Sequence, residues 1–189
     1  LNTLKNVEFE LSNNKLYINK LSYIRTNENN DFLFSKIRYP NWLKKKYYIK
    51  YHIFINRYAH ILNLLNFFFK KIIPTDFIIK DKYNFDVKAK SNKTKIKVVC
   101  TNKKSYLIKI VLNFLNGDQI ECILKNPTIP YISYIKFKSR KSIKKVNFKN
   151  NLFKYQAEKL IKKNDQSSTN LEDLIRDISL IEEIWKTKN

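Results

Sequence analysis

Apolar and polar positions alternate over residues 6–11, with Val7, Phe9 and Leu11 on one side. That two-residue period belongs to a strand with one buried face. Ser12-Asn13-Asn14 reads as a turn, and residues 15–21 alternate again, so the pattern predicts an opening β-hairpin. A second strand pair is expected over residues 22–26 and 32–39, split by the polar stretch 27–31 and closed by Pro40. Residues 41–51 fit either a strand or a loop with a basic tip at Lys44, Lys45 and Lys46.

The period then changes. Tyr58, Ile61, Leu62, Leu65, Phe68, Phe69 and Ile72 fall on one broad helical face within residues 53–73, and Pro74 is expected to end that helix. A membrane span is not expected there. Asn56, Arg57, His60, Asn63 and Asn66 interrupt the run, and a span needs about 20 apolar residues.

Residues 75–94 are mixed and suggest a connection between two halves. Alternation returns over residues 95–100. Residues 107–115 are almost wholly apolar, and Asn116-Gly117, with the only glycine in the chain, is a strong hairpin signal. Gly117 therefore predicts a left-handed turn position. Strands are expected over residues 119–124, 131–138 and 142–148. A helix is expected over residues 150–163, with Leu152, Phe153, Gln156, Ala157, Leu160 and Ile161 as its stripe. After a polar linker, Thr169 and Glu172 have capping-box spacing. Leu171, Leu174, Ile175, Ile178, Ile181 and Trp185 then make a last helical stripe, with Glu172, Asp173, Asp177, Glu182 and Glu183 expected outside.

Strands then helix, repeated, predicts an α+β fold of two similar repeats, each a small antiparallel sheet packed by one helix, plus a C-terminal helix. The expected boundaries are 1–74 for the first repeat, 75–94 for the connecting segment, 95–164 for the second, basic repeat, and 165–189 for the linker and amphipathic helix.

Composition changes the functional picture. A formal charge of +22 on 189 residues implies a polyanionic partner, nucleic acid first and an anionic membrane surface second. Lys, Asn, Ile, Phe and Tyr make 107 residues, whereas Gly, Ala, Pro and Arg make 13. That skew points to an AT-rich genome, and an organelle genome is a natural source. The chain opens at Leu1 and has no Met, which suggests a missing leader or initiator, or a non-standard start codon. Cys100 and Cys122, both on expected strands, give neither a disulfide framework nor zinc spacing. They read as buried strand residues.

Three segments resemble the large-subunit ribosomal protein L-six family in a divergent organellar form. VEFELSNNKLYINKL, residues 7–21, resembles its opening hairpin, VEVxIxGNxVxVKGP. VNFKNNLFKYQAEKLI, residues 146–161, resembles its strand-to-helix segment, IxIxGxDKQxVGQxAAxIR. On that reading Asn150 and Asn151 replace a Lys-Gln pair and Ala157 keeps one alanine. ISLIEEIWKTK, residues 178–188, resembles its closing IxYxxExIxxK. The helix around residues 58–69 stands where the family's first-repeat helix lies. The family's glycines are almost all lost here. Its Pro-Glu-Pro-Tyr-Lys-Gly-Lys-Gly segment has no counterpart, with residues 164–175 in its place.

The resemblance implies a structural constituent of an organellar, mitochondrial large ribosomal subunit, located in the matrix and organelle-encoded. Its partners would be ribosomal RNA and, through the acidic C-terminal helix, neighbouring ribosomal proteins. The expected RNA-binding residues are Lys136, Lys138, Arg140, Lys141, Lys144, Lys145, Lys154 and Lys163, because phosphate neutralisation supplies most of such affinity. Tyr131 and Tyr134 either stack on exposed bases or pack across strands. Lys44, Lys45 and Lys46 form a secondary basic patch. For any single lysine a solvated surface charge is the plain reading; only the cluster argues.

No catalytic residues, metal ligands, cofactor or small-molecule substrate are expected. His52 and His60 would not share a helical face, and one glycine excludes a glycine-rich phosphate loop. The chain is thus expected not to be an enzyme. The rival expectation is an accessory structural subunit of an organellar membrane complex, using the apolar helix of residues 53–73.

Overall fold

The computed structural model describes residues 4–12, 39–103, 106–125, 132–149 and 171–188. Its described strands are β1 (Leu4–Ser12), β2 (Ile73–Ile79), β3 (Phe85–Ser91), β4 (Thr94–Thr101), β5 (Leu107–Phe114), β6 (Gln119–Lys125), β7 (Ile132–Lys138) and β8 (Ile143–Lys149). The helices are α1 (Tyr48–Phe68), entered through a short 3-10 turn at Lys45–Tyr47, and α2 (Leu171–Lys186). The class is α+β. All eight described strands lie in one mixed sheet, in the order β2-β3-β4-β1-β5-β6-β7-β8. This corrects the expectation of two separate small antiparallel sheets.

β1 sits in the middle of that sheet. It runs parallel to β4 and antiparallel to β5, with Phe9 beside Val98 on one side and Ile110 on the other. The expected partner, residues 15–21, lies outside the described residues. So do residues 22–38 and the expected helix of residues 150–163.

Register across the sheet lines up one apolar row over all eight strands: Phe77, Val87, Val98, Phe9, Ile110, Cys122, Ile135 and Val146. α1 covers the first part of this face. Its buried residues, Phe54, Tyr58, Ile61, Leu62 and Leu65, recur at helical spacing. Beyond β5 the face opens, and Phe137 and Val146 are exposed.

Two helix boundaries differ from expectation. α1 begins at Tyr48, inside the stretch read as strand or loop. Its early rings are held by neighbours: Tyr48 stacks on Tyr39 at 4.0 Å, and Tyr51 meets Trp42 edge-on at 5.8 Å. At the other end Phe69 is already extended, with φ −131° and ψ 125°. Pro74 does not stop the helix; it sits inside β2, an edge strand where a missing N–H is tolerated. The segment read as a connection, residues 75–94, carries most of β2 and all of β3.

α2 packs on α1 and β2. Leu180, Ile181, Ile184 and Trp185 are buried, while Leu171, Leu174, Ile175 and Ile178 are exposed. The stripe expected from the sequence is buried only in its last turns. Asp177, expected outside, accepts from Asn63 Nδ2 at 3.0 Å and Asn66 Nδ2 at 2.6 Å. This polar clamp turns that face toward α1.

Candidate functional site

The sheet face opposite α1 carries charge. Its central row reads Asp76, Lys88, Lys97, Glu8, Val111, Glu121, Lys136 and Lys145, one residue from each strand in spatial order. Opposite charges meet at Asp76–Lys88, Lys97–Glu8 and Glu121–Lys136, pairs that stabilise neighbouring strands, whereas Lys88–Lys97 and Lys136–Lys145 set like charges side by side. Lys88 Nζ bonds Asp76 at 3.0 Å. Lys109, one row away, bonds Glu121 at 3.0 Å, and the Tyr134 hydroxyl donates to the same carboxylate at 3.1 Å. Lys145 Nζ stands 4.3 Å from the Tyr134 ring centre.

These contacts fix protonation. Burial pushes Glu121 up, but the hydrogen bonds from Lys109 and Tyr134 overcome it and hold the carboxyl below its ordinary value. The Glu121 hydrogen bond raises Lys109. Glu121 is therefore a fixed anion and Lys109 a fixed cation, neither poised for general acid–base work near neutrality.

At one end of the sheet two turns stand side by side. The β5–β6 turn closes with Phe114 N–H donating to the Asp118 carbonyl at 2.9 Å and Gly117 N–H to the Phe114 carbonyl at 3.1 Å. Gly117 takes φ 88°, the left-handed position expected of it. The β7–β8 turn is tied by Ser139 N–H to the Ser142 carbonyl at 2.9 Å and Ser142 N–H to Ser139 Oγ at 3.1 Å. Between the turns runs a cleft of about 420 Å³, with Phe114, Ile120 and Phe137 as apolar wall and Lys138, Ser139, Ser142 and Lys144 as polar wall. It continues into a space of about 360 Å³ beside Arg140 and Lys141. Asp118 is the one carboxylate lining either space among the described residues, and Asn116 holds it at 2.8 Å. Lys138, Arg140, Lys141 and Lys144 have no ion pair among the described residues, so four cations and the Asp118 carboxylate surround a cleft walled by rings.

The structure thus gathers part of the expected cluster. Lys138, Arg140, Lys141 and Lys144 line the cleft, whereas Lys136 and Lys145 stand in the charged row beyond it. Tyr134 donates to Glu121 and has Lys145 beside its ring, both on neighbouring strands. Tyr131, Lys154 and Lys163 lie outside the described residues. Lys44, Lys45 and Lys46 sit at the 3-10 turn that precedes α1, on a different element. Asn116, Ser139 and Ser142 are not among the expected site residues; both turns are visible in the sequence, at 116–117 and between the strands expected over 131–138 and 142–148, but not that they stand side by side. Cys100 is buried and Cys122 half-buried. Among the described residues no three His, Cys, Asp or Glu side chains converge to hold a metal ion. No described helix is long and apolar enough to cross a membrane.

No protein-family model matches the chain, and no curated protein matches it. Solved structures do. A dehydrogenase (MviM) from Clostridium difficile is similar at 11% identity with a TM-score of 0.57, covering 98% of this chain and 55% of its own. KijD10, a 3-ketoreductase from Actinomadura kijaniata solved with NADP and TDP-benzene, is similar at 7% identity with a TM-score of 0.62, covering 97% and 54%. The same reductase solved with NADP gives 6% identity and a TM-score of 0.61. The chain spans about half the length of these proteins. At such identities the likeness shows the fold alone.

That fold corrects the ribosomal expectation. The single eight-stranded sheet has its likeness among dehydrogenases, so the L-six resemblance does not hold. The expectation of a ribosomal constituent with ribosomal RNA and ribosomal-protein partners falls with it. The exclusions of enzymes and of small-molecule partners, drawn from the missing catalytic motif, are likewise overturned by the enzymes that share this fold. The rival expectation of a membrane-complex subunit finds no support either, since α1 packs its apolar face on the sheet.

Proposed function

We propose that this chain acts as the sheet domain of a dehydrogenase- or ketoreductase-type oxidoreductase, and that the cleft between the β5–β6 and β7–β8 turns receives the phosphates of a nucleotide-bearing ligand. The carrying observation is the cleft itself: Lys138, Arg140, Lys141 and Lys144 without ion pairs among the described residues, two serine hydroxyls beside them, and an apolar wall of Phe114, Ile120 and Phe137. Cations and hydroxyl donors suit phosphate oxygens, and the rings suit the flat part of a nucleotide. The fold likeness supports the class. Among the similar structures, the ketoreductase is described with NADP and TDP-benzene, both diphosphate ligands. One glycine rules out a glycine-rich dinucleotide loop within these 189 residues, so the reading gives them the sheet-domain role and assigns hydride transfer to no residue here.

Calorimetric titration with TDP and with NADPH at low salt tests it. Saturable binding of either, weakened at least tenfold in Lys138→Glu/Arg140→Glu/Lys144→Glu, supports the reading. Absence of binding, or binding unchanged in that variant, overturns it.

A further inference from the structure

A larger cleft lies elsewhere, where the end of α1 meets the β3–β4 turn and the start of β1. It encloses about 940 Å³, at the upper end of the roughly 300–1,000 Å³ usual for ligand pockets. Its floor is apolar, with Leu4 and Phe69 buried. One wall is an aromatic run: Phe67 and Phe68 meet edge-on at 5.5 Å, and Phe68 in turn leans on Phe9 of the core at 6.0 Å. Phe67 itself is 81% exposed, an unusual position for a large apolar ring in a chain with charged side chains to spare.

Three exposed lysines, Lys70, Lys71 and Lys93, line this cleft with no ion pair among the described residues. The end of α1 does not neutralise them. The carbonyls of Asn66, in its last turn, and of Phe69, just past it, accept from Arg176 Nη2 at 3.0 and 3.3 Å. Of the two hydroxyls lining the cleft, Thr94 Oγ donates to the Leu4 carbonyl at 3.1 Å, and Ser91 is a buried residue. Among the described residues the site therefore offers three cations and an exposed apolar ring, with only the exposed Asn92 amide and the buried Ser91 hydroxyl to read a polar molecular edge. A nucleobase or sugar needs such groups; an acyl chain does not.

We infer that the Phe67–Lys93 cleft binds a single-chain amphiphilic anion, a fatty-acid carboxylate, with its head among Lys70, Lys71 and Lys93 and its chain along Phe67 and Leu4. The carboxylate gains charge-assisted hydrogen bonds, and the chain covers the exposed ring.

The test uses the full chain and cis-parinaric acid, a fluorescent fatty acid, below its micelle concentration. Saturation at one probe per chain is expected. Displacement by palmitate should be at least tenfold stronger than by its methyl ester, which keeps the chain and loses the charge. Lys70→Glu/Lys71→Glu/Lys93→Glu should weaken binding at least tenfold. Lys45→Glu/Lys46→Glu/Lys50→Glu, at the other end of α1, carries the same change in net charge and should bind as the parent does. Phe67→Asp alters an exposed residue, so it tests the apolar wall without opening the core, and it too should weaken binding. Non-saturating uptake, equal displacement by the ester, or equal loss in the two triple variants would each overturn the inference.

Discussion

The indole of Trp185, in the last turn of α2, stands 4.9 Å from the ring of Phe77 on β2, at 70°. The same indole meets Tyr51 and Phe54 of α1 edge-on at 5.3 and 5.9 Å. One side chain thus joins both helices to the edge strand, and it is fully buried. Trp185→Ala should lower stability by about 3–5 kcal/mol, the usual cost of emptying a large aromatic site. Trp185→Phe should cost clearly less. It keeps a ring, and it removes an indole N–H that has no acceptor among the described residues. Urea unfolding of the two variants checks the order; equal losses would mean that the aromatic cluster does not hold α2.

Tyr58 is fully buried and donates its hydroxyl to the Tyr83 carbonyl at 2.6 Å. Burial, then the nearby Cys100 thiol, pushes its pKa up to about 12. A folded-state pKa above the unfolded value of about 10 means the folded state binds this proton more tightly. The contribution is full below pH 10 and is lost as pH climbs through 12. Tyr58→Phe should be less stable by about 1 kcal/mol near neutrality, because the Tyr83 carbonyl loses its donor. The gap between parent and variant should then close in alkali, where the parent must ionise a buried phenol. Melting temperatures of both proteins between neutrality and pH 12 check this; a gap that stays constant would refute the buried proton.

Glu121 gives the opposite sign. Its folded pKa lies below the unfolded one, so its contribution is present above the unfolded value and is lost as pH falls through the folded value. Glu121→Gln keeps the side-chain shape and removes the charge that Lys109 and Tyr134 share. The variant should be less stable at neutral pH by about 1 kcal/mol. It should also show a shallower fall below pH 4.5 than the parent. Parallel acid titrations of unfolding would reject the assignment.

Local signals were legible in the sequence wherever neighbours along the chain decide the structure. The period of Tyr58, Ile61, Leu62 and Leu65 placed α1, and the apolar run ending at Asn116-Gly117 placed the β5–β6 hairpin. Partners distant in sequence were not legible. Alternation shows that Val7, Phe9 and Leu11 share a face, but the same pattern suits any neighbour. β1 pairs with β4, with Phe9 beside Val98, and with β5, with Phe9 beside Ile110, both far along the chain. The charged row from Asp76 to Lys145 is also invisible in the sequence, because each strand supplies one member and only register sets them side by side. Basic density located Lys138, Arg140, Lys141 and Lys144, yet it carried no information about what they surround. Read without the cleft, that density suggested a polymer of phosphates. Beside the rings of Phe114 and Phe137 it forms a pocket of small-molecule size.

The turn that forms one side of this pocket can be tested through its glycine. Gly117 holds φ 88°, a conformation that L side chains rarely adopt. Space is not the constraint, since an added Cβ would meet nothing nearer than Arg140 Nε at 3.8 Å. The cost of Gly117→Ala is therefore backbone strain alone, about 1–2 kcal/mol. Gly117→Asn should cost less, because asparagine tolerates left-handed backbone better than alanine. If the β5–β6 turn shapes the cleft, Gly117→Ala should also weaken TDP binding while Gly117→Asn restores most of it. Stability and titration measured on the same two variants separate these effects. Lost stability with unchanged binding would mean that the turn supports the sheet and contributes nothing to the pocket.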